Sequence, residues 1–405
     1  MMAVPETGRR WSLRRTGSGG TVLITALSLV MALIATGLLI VVTDDRARTA
    51  LGYFFDAPGD TFGYGWQAVS SAYVALFEGA IFDPSSLSSG SLTAILNPLS
   101  ETLLNATPLI CACLSVGLAF RAGLFNIGGQ GQIIVAAIAA GYVGFAISLP
   151  PVVHLVVAVL AGILGGAIWG GVAGWLKART GAHEVISTIM LNYVAFNLLG
   201  FLLGVKGFQA PPYGQAISNP VHEVARLPHL LGSGLRLHLG FLLAVAAAAG
   251  AAWLLDRSTI GFEVRAVGAN HFAARTAGMS VERSYLLVML LAGGLAGLAG
   301  VSQVLGTNSA ITQDIDAGIG FDGITVALLG RARPWGSVLA GLLFGALKAG
   351  GVQMQARTGT PIDLVVVVQA LIVLFIAAPQ LVRAVFRLRT GQGGVSQELA
   401  KGWNG

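Results

Sequence analysis

Residues 152–176 read VVHLVVAVLAGILGGAIWGGVAGWL, twenty-five positions without an Asp, Glu, Lys or Arg. At about 1.5 Å per residue, an α-helix of this length reaches about 37 Å, enough to cross the ~30 Å hydrocarbon core of a bilayer. Gly162, Gly166, Gly170 and Gly174 recur every four residues and share one helix face. Small residues at that spacing let helix backbones touch in lipid. The spacing returns at Gly293/Gly297 and Gly341/Gly345. The same packing accounts for all of these glycines, and no chemistry is assigned to them.

Nine further apolar segments flank this one, near 22–42, 100–120, 130–149, 184–204, 238–255, 284–305, 320–332, 336–351 and 363–380. The segments 320–332 and 336–351 are short and flank Arg331, Arg333 and Pro334, which predicts two half-length or tilted helices. The fold class expected is all-α, a polytopic integral membrane bundle of about ten spans with broken or short helices. Composition agrees: 55% of the 405 residues are hydrophobic and 10% charged, whereas soluble chains carry about 25% charged residues. A soluble enzyme, a nucleic-acid binder and a disordered chain are excluded. An outer-membrane barrel is excluded by the long apolar runs.

Basic residues predict orientation. With the N-terminus inside, 17 of the 24 Lys and Arg fall in inner segments, among them Arg9, Arg10, Arg14, Arg15, Arg121, Lys177, Arg331 and Arg333. Six fall outside: Arg46, Arg48, Lys206, Arg226, Arg236 and Arg357. Lys348 lies within a span, close enough to its end to snorkel. The resulting organisation is a basic cytoplasmic tail (1–21), an anchor span (22–42) and an extracytoplasmic segment (43–99). A transmembrane domain (100–390) and a cytoplasmic tail (391–405) follow. Both termini come out cytoplasmic. After the anchor, two sets of four spans of opposite direction predict an inverted repeat, each set with a glycine-interrupted stretch: GLFNIGGQGQ (123–132) and GIGFDGITVALLG (318–330).

Motifs of soluble chemistry are missing. The four lysines follow Leu176, Val205, Leu347 and Ala400, so no Walker A Gly-Lys exists. His183-Glu184 lacks a second histidine and Asp314-x-Asp316 lacks further ligands, so no metal is expected. Cys111 and Cys113, two apart on a helix, point to nearly opposite faces and read as packing residues. Glu184, Asp322 and Asp363 sit at span ends, leaving the membrane interior almost without the carboxylates of ion-coupled carriers. Either the chain is a channel, or a partner supplies its energy. The longest inner loop, 256–283, has a short helix-competent core from Asn270 to Ala277, with Gly278 as a stop. It reads equally as a surface offered to a soluble ATPase and as a solvated connector.

Five stretches carry a family resemblance: TPLICACLSVGLAFRAGLFNIGGQGQ (107–132), GAHEVISTIMLNYVA (181–195), GFEVRAVGANHFAARTAGMS (261–280), LAGGLAGLAG (291–300) and GFDGITVALLGRARPWGSVLAGLLFGAL (320–347). The chain resembles permease subunits of bacterial ATP-binding-cassette (ABC) importers of the nucleoside and simple-sugar type, and more distantly branched-chain amino-acid permeases. Gln130 stands where the family commonly has glutamate, keeping the hydrogen-bonding shape without the charge.

The resemblance implies half of a translocation pathway for nucleosides. Phe125, Asn126, Gln130, Gln132, Asn192 and Asn197 would line or support it, and interhelical hydrogen bonding is the competing reading of each amide. It implies that 261–280 couples to an ATPase through Glu263, Arg265, Asn270, Ala273, Ala274, Arg275, Ala277 and Gly278. The partners implied are a second permease subunit, a cytoplasmic ATPase that uses ATP and Mg, and an extracytoplasmic solute-binding lipoprotein. This chain itself would bind no cofactor and catalyse nothing. Simple sugars and branched-chain amino acids are the alternative cargoes. A stand-alone channel or secondary carrier is the alternative class.

Overall fold

The computed structural model describes residues 18–232 and 234–386. The basic tail with Arg9, Arg10, Arg14 and Arg15, and the C-terminal tail with Arg387, Arg389 and Lys401, lie outside the described residues.

The elements are α1 (Ser18–Thr43), α2 (Asp45–Leu51), α3 (Pro58–Ala80), α4 (Leu92–Arg121), α5 (Gly129–Ala146), α6 (Pro151–Thr180), α7 (Glu184–Leu202), α8 (Gly240–Arg257), α9 (Thr259–Ala269), α10 (His271–Thr276), α11 (Val281–Val301), a π-turn (Ser302–Thr307), α12 (Ile319–Leu329), α13 (Pro334–Thr358), α14 (Asp363–Ala377) and α15 (Pro379–Val385). Among the described residues, eight helices are long and apolar enough to cross a membrane, nine if α14 and α15, bent by 89° to each other, form one span. The protein is a polytopic helical membrane bundle.

Two glycine seams organise it. A Cβ on Gly166 would stand 2.4 Å from the carbonyl oxygen of Gly293, and one on Gly170 2.5 Å from that of Met289. So α6 and α11 lie backbone against backbone, in opposite directions. In the other half, a Cβ on Gly345 would meet Ala106 and the Thr102 carbonyl at 2.7 Å, which sets α13 against α4 in the same way. Exchanging α4 with α11 and α6 with α13 maps one seam onto the other, as an inverted repeat requires. Where the halves meet, a Cβ on Gly320 of α12 would lie 2.3 Å from the amide nitrogen of Gln130 of α5.

One expectation is corrected. The segment 336–351 is not half-length: α13 has 25 residues and only α12, with 11, is short. The region 43–99 carries a long helix, α3. Gly79 packs on Gln353 and Gly350 on the Leu76 carbonyl, while Arg357 pairs with Glu78 and Asp83, so α3 runs beside α13 in the same direction. Gly65 packs on Val41 and Gly37 on Val69, and the Tyr73 hydroxyl donates to the Leu33 carbonyl, so α1 runs opposite to both. The α1–α3 connection therefore lies at the end of the bundle where α13 starts, and the Ser18 end of α1 lies at the other. Among the described residues, α3 lies alongside the membrane-length helices and α12 is a half-length helix among them. The sequence hides α3 because Tyr64, Trp66, Gln67, Ser70, Ser71 and Tyr73 dilute its apolar character.

Candidate functional site

The connection from α4 to α5 is a buried polar lock. Asn126 is 0% exposed. Its amide donates to Ser115 Oγ (3.2 Å) and Gln132 Oε1 (3.1 Å), and its oxygen accepts from the Gly128 N–H (3.0 Å) and Gln132 Nε2 (3.1 Å). Asn192 reaches in from α7, accepting from the Gly131 N–H and donating to the Ile127 carbonyl, both at 2.9 Å. Non-helical backbone at membrane depth needs such partners, since lipid offers none. These three amides spend their hydrogen bonds inside the chain. Phe125 stacks on Phe120, with centroids 5.0 Å apart. Asn197 is exposed and donates to the Tyr193 carbonyl one turn back. Gln130 is half-buried and turns toward buried Asp316, Nε2 to Oδ1 3.4 Å. The structure thus joins Asn126, Gln132 and Asn192 in one cluster, keeps Gln130 beside it, and leaves Asn197 apart.

Sequence reasoning missed the larger opening. A cavity of about 110 Å³ with mixed polar and apolar walls lies between α4, the π-turn, α12 and α13, lined by Glu101, Leu104, Asn105, Gln303, Ile319 and Lys348 among others. Lys348 is 14 residues past Pro334, so it sits about 21 Å along a helix of about 37 Å. Its ammonium contacts Asp322 Oδ2 at 2.6 Å. The expectation that both charges sit at span ends is therefore corrected: α13 is longer than expected and α12 starts in mid-bundle. Arg236 and Glu101 form a second pair at 3.3 Å. Beside them His238, 1% exposed, accepts the Gly240 N–H on Nδ1 (3.1 Å). Burial, then His229 and Arg236, push its pKa down to about 4. In the connection between α3 and α4, hydrogen bonding from Ser85 and the Arg357 guanidinium hold the Asp83 carboxyl below its usual range.

The loop between α8 and α11 forms α9 and α10. Ser258 caps α9, and Asn270 caps α10 by accepting from the Phe272 and Ala273 N–H groups at 3.0 Å. Gly278 closes α10 with φ +84 and the Met279 N–H bonded back to Ala274. Ala273, Arg275 and Ala277 are exposed, Arg275 pairing with Glu282. Arg265 on α9 donates to Gly261 and Glu263 is half-buried. Ala274 differs from expectation: it is 4% exposed, packed against Val267 and Val281, and presents nothing outward. Phe272 projects from α10, 70% exposed, and Phe262 from α9, 58% exposed.

Polytopic bundle, inverted pairing, broken mid-depth helices and a capped helix pair on one face define a membrane permease. The chain belongs to the family described as branched-chain amino acid transport system / permease component, which it matches over residues 99–377. It is 40% identical over 323 residues to the guanosine ABC transporter permease protein NupP of Bacillus subtilis, covering 78% of this chain and 88% of that one. It is 38% identical over 291 residues to the glucose ABC transporter permease protein TsgB13 of Haloferax volcanii (69% and 75%). It is 36% identical over 289 residues to the nucleoside ABC transporter permease protein NupB of Lactococcus lactis (69% and 79%). No solved structure matches it.

Proposed function

We propose that this chain is the permease subunit of an ATP-driven nucleoside importer and forms half of the translocation pathway. The observation that carries the reading is the similarity to NupP, which spans most of both chains. The polar, charge-balanced interior suits an uncharged hydrogen-bonding solute. Energy enters from a separate cytoplasmic ATPase, which uses ATP and Mg and docks on α9–α10, with Phe272 as a projecting anchor. A second permease subunit, different in sequence, completes the pathway, and an extracytoplasmic binding protein delivers solute. The complex sits in a bacterial plasma membrane.

The test is reconstitution with the partner subunits in vesicles, measuring ATP-dependent uptake of labelled guanosine and glucose. Guanosine uptake supports the reading. Glucose uptake without guanosine uptake would move the cargo to simple sugars, which the similarity to TsgB13 favours as second reading. Uptake by this chain alone, without ATP, would make it a channel or carrier.

A further inference from the structure

The cavity between α4, the π-turn, α12 and α13 has the features of a ligand site. Gln303 lines it and is 7% exposed, yet its side-chain amide makes no hydrogen bond among the described residues. The Gln303 amide opens onto the cavity and is not sealed from it, so its donor and acceptor are free to bond whatever enters. The π-turn that carries Gln303 and Thr307 is a rare backbone form found mostly at functional sites. Lys348 lines the same space, its ammonium steered by Asp322, with N–H donors left over. Asn105 spends its NH₂ on the Glu101 carbonyl at 2.8 Å, so its side-chain oxygen remains as an acceptor. Ala317 and Gly318, with φ +45 and +73, bring exposed non-helical backbone to the head of α12. At that depth such backbone persists only beside protein or water.

We infer that this cavity is the solute's resting site within the pathway, and that it recognises a pair of neighbouring hydroxyls, as on a ribose. One hydroxyl oxygen accepts from Lys348, and its proton goes to Asn105 Oδ1. The second exchanges a donor and an acceptor with the Gln303 amide. Asp322 acts through Lys348 as a positioning residue. At about 110 Å³ the cavity is smaller than the ~300–1,000 Å³ of complete ligand pockets. It holds the sugar end of a solute, and the facing permease holds the rest. The inference rests on the proposed function for the identity of the solute.

The test uses the assembled importer in lipid nanodiscs without its binding protein. Thr307→Cys is labelled with a small water-soluble methanethiosulfonate, and Leu104→Cys serves as a second reporter should the first fail to assemble; both line the cavity without a part in the proposed recognition. The native Cys111 and Cys113 are buried and stay silent. Guanosine should slow labelling. 2′,3′-Dideoxyguanosine should need about ten- to hundred-fold higher concentration for the same protection, the loss expected when buried polar groups go unpaired. In an Asp322→Asn, Lys348→Gln background that ratio should collapse towards one. An importer that transports guanosine while neither reporter is protected overturns the inference, as does equal protection by the dideoxy compound. If the importer carries glucose instead, the nucleoside reading fails. Glucose then becomes the probe, and its protection upholds the site or its lack of protection overturns it.

Discussion

A Cβ added to Gly268 of α9 would stand 2.2 Å from the carbonyl oxygen of Arg121, the last residue of α4. Arg121 in turn donates from Nε to the Ala332 carbonyl at 3.0 Å, in the turn between α12 and α13. Thus α9 presses on a residue that bonds the foot of the half-length helix bearing Asp322. Gly268→Val should push α9 off α4, at an overpacking cost of about 1–3 kcal/mol. The variant should still insert and bind the ATPase, but lose solute-stimulated ATP hydrolysis. Hydrolysis at the wild-type level in reconstituted vesicles would show that this contact transmits nothing.

Phe272 and Ala274 lie two residues apart and should behave differently. Phe272→Asp removes a projecting aromatic and should cut co-purification of the ATPase while leaving the permease's melting temperature unchanged. Ala274→Trp has no room beside Val267 and Val281. It should lower the melting temperature of the isolated permease. Equal effects of the two on ATPase capture, with no change in melting, would place Ala274 on the docking face after all.

Asn126→Leu strands several polar partners at once. Gly128 N–H, Ser115 and both ends of the Gln132 amide lose a bond. Each buried group left unpaired costs about 1–3 kcal/mol. The expected outcome is a destabilised, poorly assembled subunit. Loss of uptake in a fully assembled, normally melting complex would instead mark Asn126 as a solute contact.

His238 fixes a pH dependence. Its folded pKa is about 4, below the ordinary value of 6.5. Between these two values the unfolded chain binds the extra proton, so stability rises with pH there. The contribution is whole above about pH 6.5 and drains away as pH falls towards 4. His238→Gln should flatten melting temperature against pH across that window. An unchanged slope would assign the acid sensitivity elsewhere.

Cysteines at Asp56 and Leu87, both exposed, test the path of α3. An impermeant reagent added from one side of the membrane should label one and spare the other. Labelling of both from the same side would make 43–99 a single outer segment.

Long apolar runs and their glycine faces were legible in the sequence because lipid exposure and close backbone approach each leave a strong residue signature. The seams at Gly166 and Gly345 lie where their spacing placed them. The packing of α3 was not legible, because its polar Gln67, Ser70 and Ser71 break up the apolar run, and only small residues such as Gly65, Ala72 and Ala75 are buried in it. The depth of Lys348 was hidden too. A lone lysine reads as a snorkelling end residue until its partner, 26 positions earlier at Asp322, is seen beside it. Satisfaction of the amides depends on contacts such as that between Asn192 and Gly131, 61 residues apart, which no local pattern records. The inward turn of Ala274 was equally invisible, since alanine suits either face of a helix.

The Asp322–Lys348 pair also bears on voltage. A full elementary charge moved across the bilayer is worth about 2.3 kcal/mol per 100 mV. Carboxylate and ammonium move together and cancel, so a rearrangement that keeps them joined carries no gating charge. An uncharged solute passing them adds none. Its transport rate should then be the same in polarised and depolarised vesicles.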